Sequence, residues 1–136
     1  MRRAGPIALL LVAAAFGANG CGGASSNKAQ IESTIRTYYT AFANGDSAKA
    51  CDQLSTSTRA ELERQGGGRK CADLLTAAGG RPGAKRVKPA LKNPKFGTVN
   101  VTGNNATVSL TVAGTPTTVP LKKEGGRWKI VSAVGG

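Results

Sequence analysis

Three cysteines (Cys21, Cys51, Cys71), seven carboxylates and an adjacent tyrosine pair, Tyr38 and Tyr39, are the side chains of this 136-residue sequence best suited to bond-making or proton transfer. Histidine is absent. That removes Ser-His-Asp and Cys-His nucleophilic pairs and every zinc site that needs imidazole. The carboxylates are Glu32, Asp46, Asp52, Glu61, Glu63, Asp73 and Glu124. They fall at expected caps, solvated helix faces or turns, and none takes an inward strand position. A general base must come within hydrogen-bond reach of its substrate, so the pattern offers no catalytic residue. Tyr38 or Tyr39 could donate to an oxyanion, but both sit on an amphipathic stripe whose simpler use is packing. No phosphate-binding, dinucleotide, calcium-loop or zinc-protease motif occurs. No metal site and no cofactor are expected.

The cysteines are read together with the N-terminus. Met1-Arg2-Arg3 is a positive start, and Ile7 to Phe16 is an uncharged apolar run of ten residues. Such a run is too short to span roughly 30 Å of hydrocarbon. Followed by Gly17-Ala18-Asn19-Gly20, it reads as a secretory signal peptide over residues 1–20. Ala18-Asn19-Gly20-Cys21 resembles a bacterial lipobox, which implies lipidation of Cys21 and a membrane partner through that lipid. The same Ala18-x-Gly20 also fits ordinary signal peptidase cleavage, which would leave the protein secreted. Both cuts fall before Cys21, and residues 21–29 then read as a flexible tether. Three cysteines in an exported chain is an odd count. With Cys21 acylated, Cys51 and Cys71 remain as a disulfide pair in an oxidising compartment, or else as two buried thiols.

The chain carries 19 Lys and Arg against seven acids, a formal charge of +12. Losing the first twenty residues, with Arg2 and Arg3, leaves 116 residues and 17 cations against the same seven acids, +10. Arg81, Lys85, Arg86, Lys88, Lys92 and Lys95 crowd into one segment without an acid. Export argues against nucleic acid as the partner. Anionic lipid or a cell-wall polymer is the nearer candidate, since each cation close to anionic lipid contributes about 1 kcal/mol. A merely solvated basic surface is the plainer use of the same residues.

The elements that must position these groups follow from periodicity. Asn27 is expected to cap a first helix with Ile31, Ile35, Tyr38, Tyr39 and Phe42 on one face. Asn44-Gly45 should end it, and Asp46 should cap a short second helix to about Leu54. Thr58 to Glu61 reads as a capping box for a third helix, broken at Gly66-Gly67-Gly68. Arg69 to Ala78 reads as a fourth, and Gly79-Gly80 with Pro82-Gly83 should end helical territory. Beyond that the period becomes two, with Val87 and Leu91 placed in a weak first strand. Val99 and Val101 alternate with polar residues, as do Ala106, Val108, Leu110 and Val112, and then Val119 and Leu121. Pro120 should need an edge or bulge. Gly125-Gly126 is expected to turn into a last strand from Arg127 to Val134 that carries Trp128 and Ile130 inward. Helices first and strands last argue for α+β, with N-terminal helices packed on a curved antiparallel sheet.

Three stretches carry a family resemblance. They are Tyr38-Tyr39-Thr40-Ala41-Phe42-Ala43-Asn44-Gly45-Asp46, the pair Cys51-Asp52-Gln53-Leu54-Ser55 and Cys71-Ala72-Asp73-Leu74, and Val119 to Ile130 with its Gly-Gly turn before Trp128-Lys129-Ile130. In this order they resemble the nuclear transport factor 2-like (cystatin-like) domain of small bacterial envelope lipoproteins, over about Gln30 to Val134. The resemblance implies a cone-shaped domain over residues 30–136, with Tyr38, Tyr39, Phe42 and Trp128 lining its pocket. It also implies a place on the outer face of the cell membrane. Enzymes and binding proteins share this fold, so fold does not give function. The expectation is a non-enzymatic domain for a small ligand or a protein. A small isomerase or dehydratase, and an electrostatic binder of anionic lipid or polymer, are the alternatives.

Overall fold

The computed structural model describes residues 23–131. The expected signal sequence, the expected acylation site Cys21 and residues 132–136 lie outside the described residues. Five helices precede four strands among the described residues: α1 (Gly23–Asn44), α2 (Ser47–Asp52), α3 (Thr56–Gln65), α4 (Cys71–Gly79), α5 (Pro82–Leu91), β1 (Lys95–Thr102), β2 (Asn105–Val112), β3 (Thr115–Glu124) and β4 (Arg127–Ile130). The strands form one antiparallel meander in sequence order. The class is α+β, as the change of period implies.

Helix α1 buries the expected stripe. Ile31 and Ile35 are fully buried, Tyr38 and Tyr39 nearly so, and Phe42 packs at the edge of the core. The helix starts earlier than the sequence reading had it. Asn27 is an interior helical residue, not a cap, and residues 23–29 are helical where a flexible tether was expected. Gly45 ends α1 at φ +81°, a left-handed conformation that glycine adopts without strain. Asp46 then caps α2, its carboxylate accepting from the Lys49 N–H at 3.2 Å.

The cap of α3 is Ser55, three residues before the expected Thr58. Ser55 is extended, and its hydroxyl accepts from the Thr58 N–H at 3.1 Å. Glu124 reaches across from β3 and accepts from the Thr56 N–H at 2.9 Å, the first helical donor of α3. Helix α4 has no cap from its own flanking residue. Glu63 of α3 supplies one, accepting from the Cys71 N–H at 3.0 Å. Cys51 and Cys71 are joined in the expected disulfide, which ties α2 to the first turn of α4. Closing a loop of that length stabilises a fold by about 3 kcal/mol through the entropy of the unfolded chain.

The segment from Pro82 to Leu91 departs from the sequence reading. It is helix α5, not the approach to a strand, and Val87 and Leu91 are helical. Pro82 occupies the first turn, where its missing N–H has no intrahelical partner to lose. Pro89, in the last turn, cannot donate the ladder bond to the Lys85 carbonyl. Leu91, buried, holds the helix end against the core.

In the sheet, Ala106, Val108, Leu110, Val112, Val119, Leu121, Trp128 and Ile130 all face the helices and are buried. The first hairpin turns at Gly103-Asn104, and the second at Ala113-Gly114, both of whose φ values are positive. Pro120 lies in the interior strand β3, not at an edge or bulge. It pairs with Thr107 of β2 and sits one residue beyond the last β4 pair. Its carbonyl accepts from the Val131 N–H at 2.9 Å. The return bond that proline cannot donate is replaced, because Thr58 donates its hydroxyl to the Val131 carbonyl. The outer edge of β4 is also covered: Ser55 N–H donates to the Ile130 carbonyl, and Ile130 N–H to that of Gln53, both at 2.8 Å. That leaves β1 as the open edge.

Candidate functional site

The largely apolar concavity formed by α1, α4 and α5 is a cleft of about 630 Å³. Tyr38, Tyr39 and Phe42 come from α1, Leu75 and Ala78 from α4, and Ala84, Val87 and Leu91 from α5, with Arg81 at the corner between the last two helices. Each set recurs at helical spacing, so each helix turns one face to the same space. Its volume is in the range of small-molecule sites. Val87 is 40% exposed, unusual for a large aliphatic residue, and it lies in this cleft.

The two tyrosines give the cleft its polar atoms. They are 7% and 6% exposed, and their rings meet edge to face with centroids 5.3 Å apart. No buried side-chain polar atom is left orphaned among the described residues. The tyrosine hydroxyls have no hydrogen-bond partner there, so they reach solvent, and both side chains line the cleft. Burial raises Tyr38 above the usual phenol value. Burial first, and then the neighbouring Tyr38, push Tyr39 up to about 12. Both are therefore neutral hydroxyl donors at neutral pH.

Trp128 does not join them. It is buried on β4 against α1, its indole N–H donating to Asn27 Oδ1 at 3.3 Å while its carbonyl accepts from Thr34 at 3.2 Å. The Lys123 ammonium lies 5.3 Å from its ring centroid. Trp128 borders a different, more polar depression beside Lys49, Asp52 and Lys129. The expected group of four is thus three residues in one cleft and a tryptophan in another.

The basic segment is divided as well. Arg81 caps α5, Lys85, Arg86 and Lys88 lie on it, Lys92 caps its C-terminus, and Lys95 opens β1. Lys88 is half-buried, and its Nζ lies 3.6 Å from where a Gly79 Cβ would stand, with the Phe42 ring 3.7 Å from the same point. The Lys88 ammonium therefore lies beside the C-terminal end of α4, next to but not among the residues that line the cleft. The ion pairs among the described residues are Lys28–Glu32, Arg59–Asp52, Arg64–Glu61 and Lys122–Glu124. None of them involves a cation between Arg81 and Lys95.

No carboxylate lines the cleft. Asp46, Glu63 and Glu124 accept from helix N-terminal N–H groups, and Glu32, Asp52 and Glu61 stand in ion pairs. Asp73 lies exposed in the first turn of α4. Hydrogen bonds from the Thr56 hydroxyl and then its N–H hold Glu124 below the usual carboxylate value. Hydrogen bonds from Arg64 and Gln65 do the same for Glu61. Among the described residues no three Cys, Asp or Glu come together as a metal site, and no helix is long and apolar enough to cross a membrane.

Compared with known proteins, the chain matches no family model, no curated sequence and no solved structure. The functional reading therefore rests on this geometry. Sequence reasoning placed Tyr38, Tyr39 and Phe42 at a pocket but missed Leu75, Ala78, Ala84, Val87 and Leu91 as its other wall. The available signal was Ala84, Val87, Lys88 and Leu91 at helical spacing after a proline suited to a first turn.

Proposed function

We propose that this is an exported, lipid-anchored domain of the bacterial cell envelope that binds an apolar ligand and carries out no reaction of its own. The anchor rests on the sequence, with its signal-type N-terminus ending at Cys21. Mass spectrometry of the mature N-terminus is expected to find Cys21 acylated; a free cysteine there would remove the anchor and leave a secreted domain.

The observation that carries the binding reading is the cleft between α1, α4 and α5, apolar on three sides and open to solvent at Val87. Burying a ligand against such walls gains about 25 cal/mol per Å² of apolar surface covered. With no carboxylate in the cleft, general-base catalysis there has no carboxylate agent, which makes the isomerase or dehydratase reading the weaker one. Helix-first order and the closing hairpin before Trp128 also support likeness to nuclear transport factor 2-like domains. An experimental structure with a flat, uncurved sheet would speak against that likeness.

Titration with N-phenyl-1-naphthylamine, a neutral apolar dye that brightens when desolvated, tests the binding reading. One saturable site is expected, and Val87→Glu, which places a charge at the exposed lip, is expected to weaken it at least about tenfold (about 1.4 kcal/mol). Absence of saturable binding, or an unchanged V87E titration, would reject the cleft as the site.

A further inference from the structure

The cleft is not uniformly apolar, and each polar side chain that lines it, Tyr38, Tyr39 and Arg81, can donate. The Tyr38 and Tyr39 side chains are nearly buried, and their hydroxyls, without a protein partner among the described residues, reach solvent. At one corner stands Arg81, the cap of α5. Lys88 is not one of the lining residues, but its ammonium stands beside Gly79, two residues before Arg81 in sequence. Neither cation is in an ion pair among the described residues, and the helix that carries them holds no acid. Of the acids on the neighbouring elements, Glu32 of α1 is paired with Lys28, Asp73 lies in the first turn of α4, far from its Gly79 end, and Asp46, just past α1, accepts from the Lys49 N–H. An apolar trough with two free hydroxyls and a cationic corner is complementary to one kind of occupant.

We propose that the cleft is a receptor site for a free, single-chain anionic amphiphile, with its chain against Phe42, Leu75, Val87 and Leu91 and its anionic head at Arg81 and Lys88. The proposal rests on the ligand-binding reading above and adds the class of ligand. The head, a carboxylate or phosphate, accepts charge-assisted hydrogen bonds from the two cations. Tyr38 and Tyr39 offer further donors to the head or to a hydroxyl or ester near it. Anionic lipid was already the expected partner of the basic segment. The difference is that one chain enters the protein, in place of α5 resting on a bilayer.

Displacement of bound N-phenyl-1-naphthylamine separates these cases. Dodecanoate, below its micelle concentration, is expected to displace the dye at concentrations at least about tenfold lower than dodecyltrimethylammonium, a chain of the same length with a cationic head. Arg81→Glu and Lys88→Glu are each expected to erase or invert that preference. Arg86→Glu makes the same change in net charge on the opposite side of α5, and should leave the preference in place. Equal displacement by the two chains overturns the proposal while leaving an apolar site standing. So does an R86E variant as impaired as R81E, since net charge alone would then explain the preference. Sedimentation with phosphatidylglycerol vesicles without displacement of the dye by dodecanoate would assign the basic residues to bilayer docking and also overturn it. Failure of the dye to bind at all rejects the underlying ligand-binding reading, and the ligand class with it.

Discussion

Tyr39 and its neighbour are where residue chemistry and stability meet. The phenol of Tyr39 titrates near 10.0 in the unfolded chain and is pushed up to about 12 in the fold, first by burial and then by Tyr38. The native state therefore keeps this proton after the unfolded state has lost it. The stabilising contribution is complete below about pH 10 and is lost as pH rises through about 12. Urea midpoints measured across that window should fall less in Tyr39→Phe than in the unaltered protein. Equal falls would mean that groups other than Tyr39 account for the alkaline loss. The carboxylates point the other way in pH. Glu124, held low by Thr56, stabilises α3 above the usual carboxylate range and loses that contribution as pH falls through its lowered value. Neither effect was readable from sequence. Burial of Tyr39 depends on α4 and α5 closing over α1, and the Glu124–Thr56 contact joins residues 68 apart.

At the scale of elements, the strands were the more legible half. Ala106, Val108, Leu110 and Val112 alternate because one face of the sheet meets helices and the other meets water, and that alternation is written directly in the sequence. Helix α1 was legible for the same reason at a period of 3.6, as was the Gly45-Asp46 corner. Helix α5 was not. Pro82 suits a first turn, but Gly83 and Pro89 weigh against a helix locally, and what holds it is tertiary: Leu91 buried in the core and a short corner at Gly80-Arg81 folding it back beside α4. The caps show the same limit. Asp46 caps its own helix and was identified, whereas α4 takes its acceptor from Glu63 of α3, across the turn at Gly66 to Gly68. A cap borrowed from another element leaves no local pattern to read. Pro120 was expected at an edge for the sound reason that it cannot donate. The fold tolerates it inside β3 because the β4 ladder ends there and Thr58 satisfies the Val131 carbonyl.

For the whole molecule, the placement of α5 reorganises what the charge and the aromatic residues mean. As a loop leading to a strand, the basic segment was only a solvated stretch with a surface role. As a helix, it turns Ala84, Val87 and Leu91 toward Tyr38 and Phe42, sets Arg81 at a corner of the resulting cleft and leaves the Lys88 ammonium beside Gly79. Trp128 meanwhile serves the joint between α1 and β4, with its indole donor already used. The candidate site thus lies among helices toward the C-terminal end of α1, whereas the tryptophan packs on its N-terminal half. The most direct test is amide chemical-shift mapping of the protein titrated with N-phenyl-1-naphthylamine. The predicted result is a set of shifts confined to Tyr38–Phe42, Leu75–Ala78 and Ala84–Leu91. Shifts centred on Trp128 and Lys129, or spread over the outer face of the sheet with these helices unmoved, would contradict the account.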